Sequence, residues 1–299
     1  MTGPVCLRER NWGRWGAEDQ RGAANLLGPK GVAAAAALVT RGRVFPLGLP
    51  IGPRSTPVPP NRAGPQQFMT RDGGDFAAGL RRRGGFETTD GVILIGEHVG
   101  THIDALAHVS DEGRMFNGHA LTEVRSGGAA RCGIEQVPAL VGRGVLLDLC
   151  AARGRPRLEP GEVVGGADLA ACAEAQGVSI GSGDIVLLRT GWLSMFRESG
   201  PREFFAAEPG LGMTGAAWLA ERDVAAIGAD NYGIEVVPTE DGQPGPVHRA
   251  LVRDCGLYLM EMLDLDALAG AGVHEFMFVA APLPITGGVG SPINPLAIT

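Results

Sequence analysis

Aromatic residues and long apolar runs are scarce in this sequence. Aromatic side chains make up 5% of the 299 residues, whereas 47 glycines and 21 prolines favour many short, shaped connections over long helices. The longest helical apolar run, residues 32–39, is far shorter than the roughly 20 residues needed to span a bilayer. The first residues also lack the apolar core of a secretion signal. We therefore expect no membrane partner and a cytoplasmic location.

Cysteines are few, and positive charge is not in excess. The five cysteines, at positions 6, 132, 150, 172 and 255, are scattered and form no CxxC pair. This pattern argues against a thiolate metal site and is typical of buried free thiols in a reducing compartment. The formal net charge of −7 leaves no positive field that could hold a phosphate backbone, so nucleic acid is not an expected partner.

The overall composition is globular, with 44% hydrophobic and 20% charged residues and no internal repeat or linker. We predict one domain over residues 1–299, in which residues 1–90 include an irregular arm or lid rich in Pro, Gly and Arg. Hydrophobic patterns predict helices over residues 31–40, 167–175, 214–222 and 247–253. They predict strands over residues 92–98, 145–150, 184–188, 224–228, 257–261 and 276–280. Several strands are continuous aliphatic runs, so the predicted fold class is α/β, a mixed sheet with packed helices.

The strongest functional signal is a cluster of histidines. His98, His102 and His108, three of the six histidines in the chain, fall in the segment GEHVGTHIDALAHVS together with Asp104. Imidazole nitrogen and carboxylate oxygen form the ligand set of divalent ions such as zinc, manganese or iron. The alternative is that these are hydrogen-bonded loop histidines without a metal, but three of them with an Asp in one segment favour a site.

A metal site in this segment requires the chain to bend. On a flat strand His98 and His102 would lie roughly 13 Å apart, too far for both to bind one ion. Gly100 is placed to supply the bend, because glycine tolerates backbone angles that other residues avoid, and Thr101 can hydrogen-bond the turn. His98, His102 and Asp104 would then bind one metal and leave a position open for water, as in catalytic sites.

Residues 98–108, HVGTHIDALAH, resemble the signature H-x-G-T-H-x-D-x-P-x-H of the cyclase-like metal-dependent hydrolases, the family of bacterial kynurenine formamidase and isatin hydrolase. Leu106 stands where Pro is usual. Similarity extends to NWGRWG near the start, RTGW in the middle and APLPITGGVGSPINPLAI at the end, and so covers nearly the whole chain. The resemblance implies a swivelling β/β/α fold, homodimers or homotetramers, and hydrolysis of a compact amide or lactam by one or two divalent ions.

The resemblance also implies roles for individual residues. His98, His102 and Asp104 match the ligands of a first metal, and Asp104 is able to bridge to a second ion. His248 and Glu261 match the second ion's own ligands. His108 matches the catalytic histidine that moves protons.

The sequence supports the two downstream residues to different degrees. Glu261 continues a strand face that is otherwise apolar, and a lone buried carboxylate there would be costly without a cation or a hydrogen-bond donor. His248 follows Gly245 and Pro246 at a predicted helix start and could equally be a surface helix residue. His119 and His274 match no motif and are expected to be structural.

Two further segments are expected near the site. Residues 287–291, GGVGS, lack the lysine and the following helix of a phosphate-binding loop, so they predict a shaped turn near the active site or a neighbouring subunit. The polar stretch 230–235, DNYGIE, follows a predicted strand and should face a ligand crevice, with Asp230 as a candidate for positioning a site group.

These features together predict a metal-dependent amidohydrolase that uses zinc or manganese, one or two ions per chain, on a small molecule such as an arylformamide or a lactam. One alternative is a cyclase or dehydratase that uses the same metal in secondary metabolism. Another is a non-catalytic binder of a metal or small ligand, which would have no need for His108. The apolar C-terminal segment 281–299 also favours a homo-oligomer, because it would expose much apolar surface on a monomer.

Overall fold

The architecture is built around one large mixed sheet. The computed structural model describes residues 7–137 and 139–299. In this part of the chain nine strands form the sheet, in the order β1-β15-β13-β7-β9-β11-β12-β4-β14, and three two-stranded ladders lie outside it. The strands are β1 (Val44–Pro46), β2 (Gln66–Arg71), β3 (Asp90–Leu94), β4 (His102–Asp104), β5 (Val124–Arg125), β6 (Gly128–Ala129), β7 (Leu140–Asp148), β8 (Val163–Val164), β9 (Ile185–Arg189), β10 (Gly210–Leu211), β11 (Ala226–Ala229), β12 (Tyr258–Glu261), β13 (Glu275–Ala280), β14 (Gly290–Pro292) and β15 (Leu296–Ile298).

Short helices connect and cover the strands. They are α1 (Pro29–Ala36), α2 (Gly73–Ala77), α3 (Leu149–Ala152), α4 (Gly166–Gln176), α5 (Leu193–Ser199), α6 (Pro201–Phe204), α7 (Met213–Glu221), α8 (Pro246–His248), which continues into a π-helix (Arg249–Asp254), and α9 (Asp266–Gly270). α1 packs on β7 and β13, and α4 packs on β7 and α7. No helix of the described residues is long and apolar enough to cross a membrane.

The centre of the sheet is parallel and both its flanks are antiparallel. β7, β9, β11 and β12 run parallel, whereas β13 joins β7 and β4 joins β12 in antiparallel fashion. Most side chains of the parallel strands are buried, because their aliphatic runs are covered on both faces. The fold class predicted from the sequence, a single-domain α/β protein with a mixed sheet and packed helices, is therefore confirmed.

Most predicted elements are present, with shifted ends. α4 and α7 and the strands β7, β9, β11, β12 and β13 all occur at the predicted places. Residues 149 and 150, predicted as strand, begin α3, and the helix predicted for residues 247–253 is α8 with its π-helical extension. The four described cysteines are buried free thiols, as predicted, and Cys6 lies outside the described residues.

The predicted strand over residues 92–98 is wrong in both extent and surroundings. β3 ends at Leu94 and, among the described residues, pairs with β2 alone, and its side chains are exposed. The hairpin β2–β3 lies outside the large sheet, whereas β1, which belongs to the same part of the chain, forms an edge of the sheet.

The C-terminal segment also differs from expectation. Residues 281–299 contain β14 and β15, which are both members of the large sheet, and many of their side chains are buried within the same chain. The segment therefore exposes less apolar surface than the sequence predicts, with Leu283 at 55% as its large exposed apolar side chain. Most of the large exposed apolar side chains in the described residues lie elsewhere, and they include a group on the hairpin β2–β3 and its connection, namely Phe68, Met69, Phe86, Val92, Ile93 and Leu94.

Candidate metal centre and cavity

A sharp bend at Gly100 brings the first two histidines together, as predicted. Gly100 has a φ of +66°, and a Cβ atom there would stand 2.7 Å from the Thr56 side chain, so both the backbone angle and the space require glycine. His98 lies in the turn before the bend and His102 begins β4. Their ring centroids are 5.3 Å apart, much closer than a flat strand would allow.

Thr101 acts differently from the expectation that it would hydrogen-bond the turn itself. Its hydroxyl donates to the carbonyl oxygen of Met262 (2.6 Å) and accepts from the N–H of Leu49 (2.9 Å). Met262 directly follows the last residue of β12. The hydroxyl therefore ties the start of β4 to the end of the strand that carries Glu261.

Strand register places the remaining groups around β4. His102 is paired with Glu261 on β12, and Asp104 is paired with Gly290 on β14. A Cβ atom on Gly290 would stand 2.6 Å from Nε2 of His98, so this glycine leaves room for the imidazole. The GGVGS segment is thus a shaped turn beside the histidine cluster, as predicted.

Asp104 is the centre of the cluster. Its carboxylate oxygens lie 3.4 Å from Nε2 of His98, 3.6 Å from Nε2 of His102 and 3.8 Å from Nε2 of His248. Asp104 is only 1% exposed, yet neither oxygen has a hydrogen-bond partner among the described residues. Buried carboxylates normally have a partner, so this one is left available for a cation.

Two groups of three residues have ligand atoms within 4.8 Å of one another. One comprises His98, Asp104 and His108, and the other comprises Asp104, His248 and Glu261. Asp104 belongs to both, which is the arrangement expected for a bridging carboxylate. His102 belongs to neither group, although its Nε2 lies 3.1 Å from Glu261, and His108 occupies the place beside His98 where the sequence analysis expected His102.

Glu235 is a residue of the site that the sequence analysis did not single out. Its carboxylate accepts from Nδ1 of His248 and from the N–H of Val247, and only 5% of the residue is exposed. Because Nδ1 is engaged, Nε2 of His248 is directed to Glu261 and Asp104. Carboxylates of this kind commonly fix the tautomer and orientation of a metal-binding histidine. Glu235 lies in the polar stretch 230–235 that the sequence predicts to face a ligand crevice, although the sequence favours Asp230 within it.

Asp230 itself serves the scaffold. Its carboxylate accepts from both the N–H and the hydroxyl of Thr190 and from the N–H of Gly191, so it fixes the chain after β9 and does not line the cavity. Glu208, which is fully buried, accepts from the N–H of Tyr232 (2.7 Å) and supports the segment that holds Tyr232. Burial raises the pKa of Glu208 well above its ordinary value.

The histidines of the cluster differ in their affinity for protons. Burial lowers the pKa of His98 to about 3, which leaves a neutral imidazole. Burial also opposes the charged form of His102 and His248, but the hydrogen bonds that these rings donate to the carboxylates of Glu261 and Glu235 outweigh it and raise the pKa of both. The bonds from His102 and His248 hold the pKa of Glu261 well below its usual range, despite its burial. The carboxylates of Glu261 and Glu235 therefore stabilise positive charge within the histidine cluster.

A cavity of about 290 Å³ opens above the cluster. It is lined by Pro59, Pro60, Asn61, Arg62, His108, Phe205, Tyr232, Gly233, His248 and Glu261. Ligand sites commonly measure about 300–1,000 Å³, so this one suits a compact molecule. His119 lies elsewhere, bonded through Nε2 to the carbonyl oxygen of Asp19, and His274 is also absent from the cluster, as the sequence analysis expected of both.

The donor set fits a divalent ion. Unpaired carboxylate oxygens on Asp104, a neutral His98 and the carboxylate of Glu261 converge within one buried cluster, and no cysteine contributes to either group of ligand atoms in the described residues. Nitrogen and oxygen ligands of this kind suit zinc, manganese or iron. Of the six residues that the sequence predicts for the site, His98, Asp104, His108, His248 and Glu261 contribute to the two groups of ligand atoms, and His102 contacts Glu261.

Comparison with solved structures gives the same fold. A crystal structure of a novel cyclase superimposes with a TM-score of 0.91 over 97% of this chain and 97% of that chain, at 36% sequence identity. An isatin hydrolase bound to the product analogue thioisatinate superimposes with a TM-score of 0.63 over 91% of this chain and 99% of that chain. At 23% identity, the latter likeness concerns the fold alone.

Sequence comparison identifies the family. Isatin hydrolase of Roseibium aggregatum is 31% identical over an alignment of 144 residues that covers 44% of this chain and 51% of that protein, so the match spans about half the length of this relative. The profile of the Cyclase family matches residues 45–236, which is more than half of the chain. The chain therefore belongs to the Cyclase family, the cyclase-like metal-dependent hydrolases that its histidine motif resembles.

Proposed function

We propose that this protein is a metal-dependent amidohydrolase of small molecules, with an arylformamide or a cyclic amide as substrate and zinc or manganese as the ion. The observation that carries the proposal is that two groups of ligand atoms share the unpaired, buried carboxylate of Asp104, and that three of their members, His108, His248 and Glu261, line a compact cavity. The relative named isatin hydrolase supports a cyclic amide as one substrate class.

In this proposal His98, His102 and Asp104 would hold a first ion, and His248 and Glu261 would hold a second ion with Asp104 shared. When bound, a divalent ion would act as a Lewis acid on the scissile carbonyl and on the attacking water. Glu235 would keep Nε2 of His248 directed to the site through its bond to Nδ1.

His108 would move the proton. It lines the cavity, is only partly buried, and stacks on His98 with ring centroids 4.0 Å apart. An imidazole with this access can take a proton from water and pass it to the leaving nitrogen. The stack on His98 would hold its ring in place during both steps.

The test combines metal removal with product analysis. Chelator-treated protein should hydrolyse neither formanilide nor isatin, and one to two equivalents of zinc or manganese per chain should restore turnover. His102→Ala should lose both metal and turnover, whereas the control His119→Ala, which removes a histidine outside the cluster, should keep both. Full turnover at under about a tenth of an equivalent of metal would contradict the proposal. A cyclised or dehydrated product would instead establish the lyase alternative.

We also propose that the chain forms a homodimer or homotetramer. The hairpin β2–β3 exposes most of both faces, with 56% of Phe68, 54% of Ile93 and 63% of Leu94 accessible. An isolated two-stranded hairpin is marginally stable in water, and apolar side chains concentrated on one usually face a partner. A second copy of this chain is the proposed partner, because most soluble oligomers are symmetric homo-oligomers.

A further inference from the structure

Arg62 lies in the cavity wall, in a loop that the histidine motif does not include. Its N–H donates to the carbonyl oxygen of Pro59 at 3.0 Å, which closes a turn, and Pro59 and Pro60 restrict the backbone before it. Its guanidinium donates through one nitrogen to the carbonyl oxygen of His98. The cation is therefore fixed beside the metal centre by the backbone of one of the candidate ligands.

Arg62 forms no ion pair with any residue that the structure describes. The bond to the His98 carbonyl is the one side-chain hydrogen bond of Arg62 in residues 7–137 and 139–299, and no carboxylate of these residues forms an ion pair with it. Glu261, the carboxylate that lines the cavity together with Arg62, is engaged with His102 and His248. Arg62 is thus a permanent cation in the cavity lining with most of its N–H donors available to a ligand.

A ligand that fills the cavity displaces water from this guanidinium, so the ligand must supply hydrogen-bond acceptors and preferably negative charge. A carboxylate matches the planar fork of the guanidinium with two parallel hydrogen bonds. The cavity lining also includes the rings of Phe205 and Tyr232, whose centroids are 5.0 Å apart in an edge-to-face arrangement. These rings suit an aromatic group of the same ligand.

We propose that Arg62 is a specificity-determining residue that binds a carboxylate of the substrate, so that the preferred substrates are aryl amides carrying an acid group. This inference rests on the proposed function for its reaction, but the binding of the carboxylate does not depend on turnover. The role belongs to binding, because the carboxylate is not a reacting group, and the effect of removing Arg62 falls mainly on KM.

The test compares matched substrates. The three formamidobenzoate isomers differ from formanilide by a carboxylate, and the wild-type protein should prefer at least one isomer over formanilide in kcat/KM. Arg62→Gln should raise the KM of that isomer about 10- to 100-fold, which is the usual loss of affinity when a hydrogen bond to a charged group is removed. The KM of formanilide should stay within about threefold of its wild-type value. Arg62→Lys keeps the charge but not the planar fork of donors, so its KM for that isomer should lie between those of the wild type and Arg62→Gln. Arg81→Gln is the control, because it removes a guanidinium that bonds the carbonyl oxygen of Phe76 away from the cavity.

A binding measurement separates this inference from the proposed function. Aminobenzoates of the same three geometries should bind the metal-loaded wild-type protein more tightly than aniline does, and Arg62→Gln should abolish that difference even if no amide is hydrolysed. The inference is overturned if no carboxylate is preferred in binding or turnover. It is equally overturned if Arg62→Gln weakens formanilide and the benzoates alike, since Arg62 would then only support the backbone of His98.

Discussion

Replacing Asp104 by Asn should show whether this carboxylate binds a metal or stabilises the fold without one. Asp104 is 1% exposed and neither oxygen has a hydrogen-bond partner in the described residues, so the metal-free protein bears the cost of a buried, unpaired acceptor. That cost is about 1–3 kcal/mol for a polar group and more for a charge, although the imidazoles at 3.4–3.8 Å offset part of it. Asn removes the charge and fills the same space. In chelator we therefore expect Asp104→Asn to have the same free energy of unfolding as the wild type, or one higher by up to about 2 kcal/mol.

With metal the order should reverse. A ligand at 100 times its dissociation constant stabilises the folded state by about 2.7 kcal/mol, and Asp104→Asn should lose this gain because Asp104 belongs to both groups of ligand atoms. The assay is urea unfolding with linear extrapolation, in chelator and in zinc.

The matched control is Asp230→Asn. Asp230 is 2% exposed but accepts three hydrogen bonds, so its loss should cost about 1–3 kcal/mol in both conditions. Our reasoning fails if Asp104→Asn in chelator is as unstable as Asp230→Asn, or if zinc does not stabilise the wild type.

Three other predictions concern the proton shuttle, a buried acid and the exposed hairpin. His108→Gln should keep its metal while kcat falls by roughly 10²–10⁴, and loss of metal from this variant would make His108 a ligand, as its place beside His98 allows. Glu208 has a raised pKa in the folded state, so the folded protein holds this proton to higher pH than the unfolded chain, and stability falls as pH rises above the ordinary value of 4.5. Glu208→Gln should remove this pH dependence, which amounts to about 1.4 kcal/mol of the free energy of unfolding per pH unit. The measurement is the free energy of unfolding of both proteins across pH, and parallel curves would refute the prediction. Light scattering should give a multiple of the chain mass of 31.0 kDa, and Phe68→Ser with Ile93→Ser should lower it, whereas a wild-type mass of 31.0 kDa at all concentrations would exclude the oligomer.

The sequence predicted the sheet best where burial and periodicity agree. The strands β9, β11 and β12 are short aliphatic runs covered on both faces, so composition alone indicated their place. Residues 92–95 have the same composition but form an exposed hairpin strand and the turn after it. Hydrophobic composition does not distinguish a strand that packs within the chain from one that faces solvent or a partner.

The site was predictable to the extent that it is local. The bend at Gly100 follows from the short spacing of His98 and His102, and the structure has it. Arg62 reaches the site only through a tertiary contact with the backbone of His98, and no local pattern marks it. Glu235 lies in the polar stretch 230–235 that the sequence does mark, but its bond to His248 is a tertiary contact that this stretch does not predict. The grouping of His108 with His98 likewise depends on the path of the chain after β4, which spacing alone does not determine.

The position of β4 in the sheet limits the insertions and deletions that the site can tolerate. β4 has three residues and pairs on both sides, with His102 opposite Glu261 and Asp104 opposite Gly290. An insertion of one residue in β4, β12 or β14 would turn the inward side chains to the other face and dismantle the centre at once. The hairpin β2–β3 is not paired with the large sheet. In the sequence it lies between two residues of the site, Arg62 and His98. Changes in length should therefore accumulate in the hairpin, where they can reshape the rim of the cavity while the ligands stay in place.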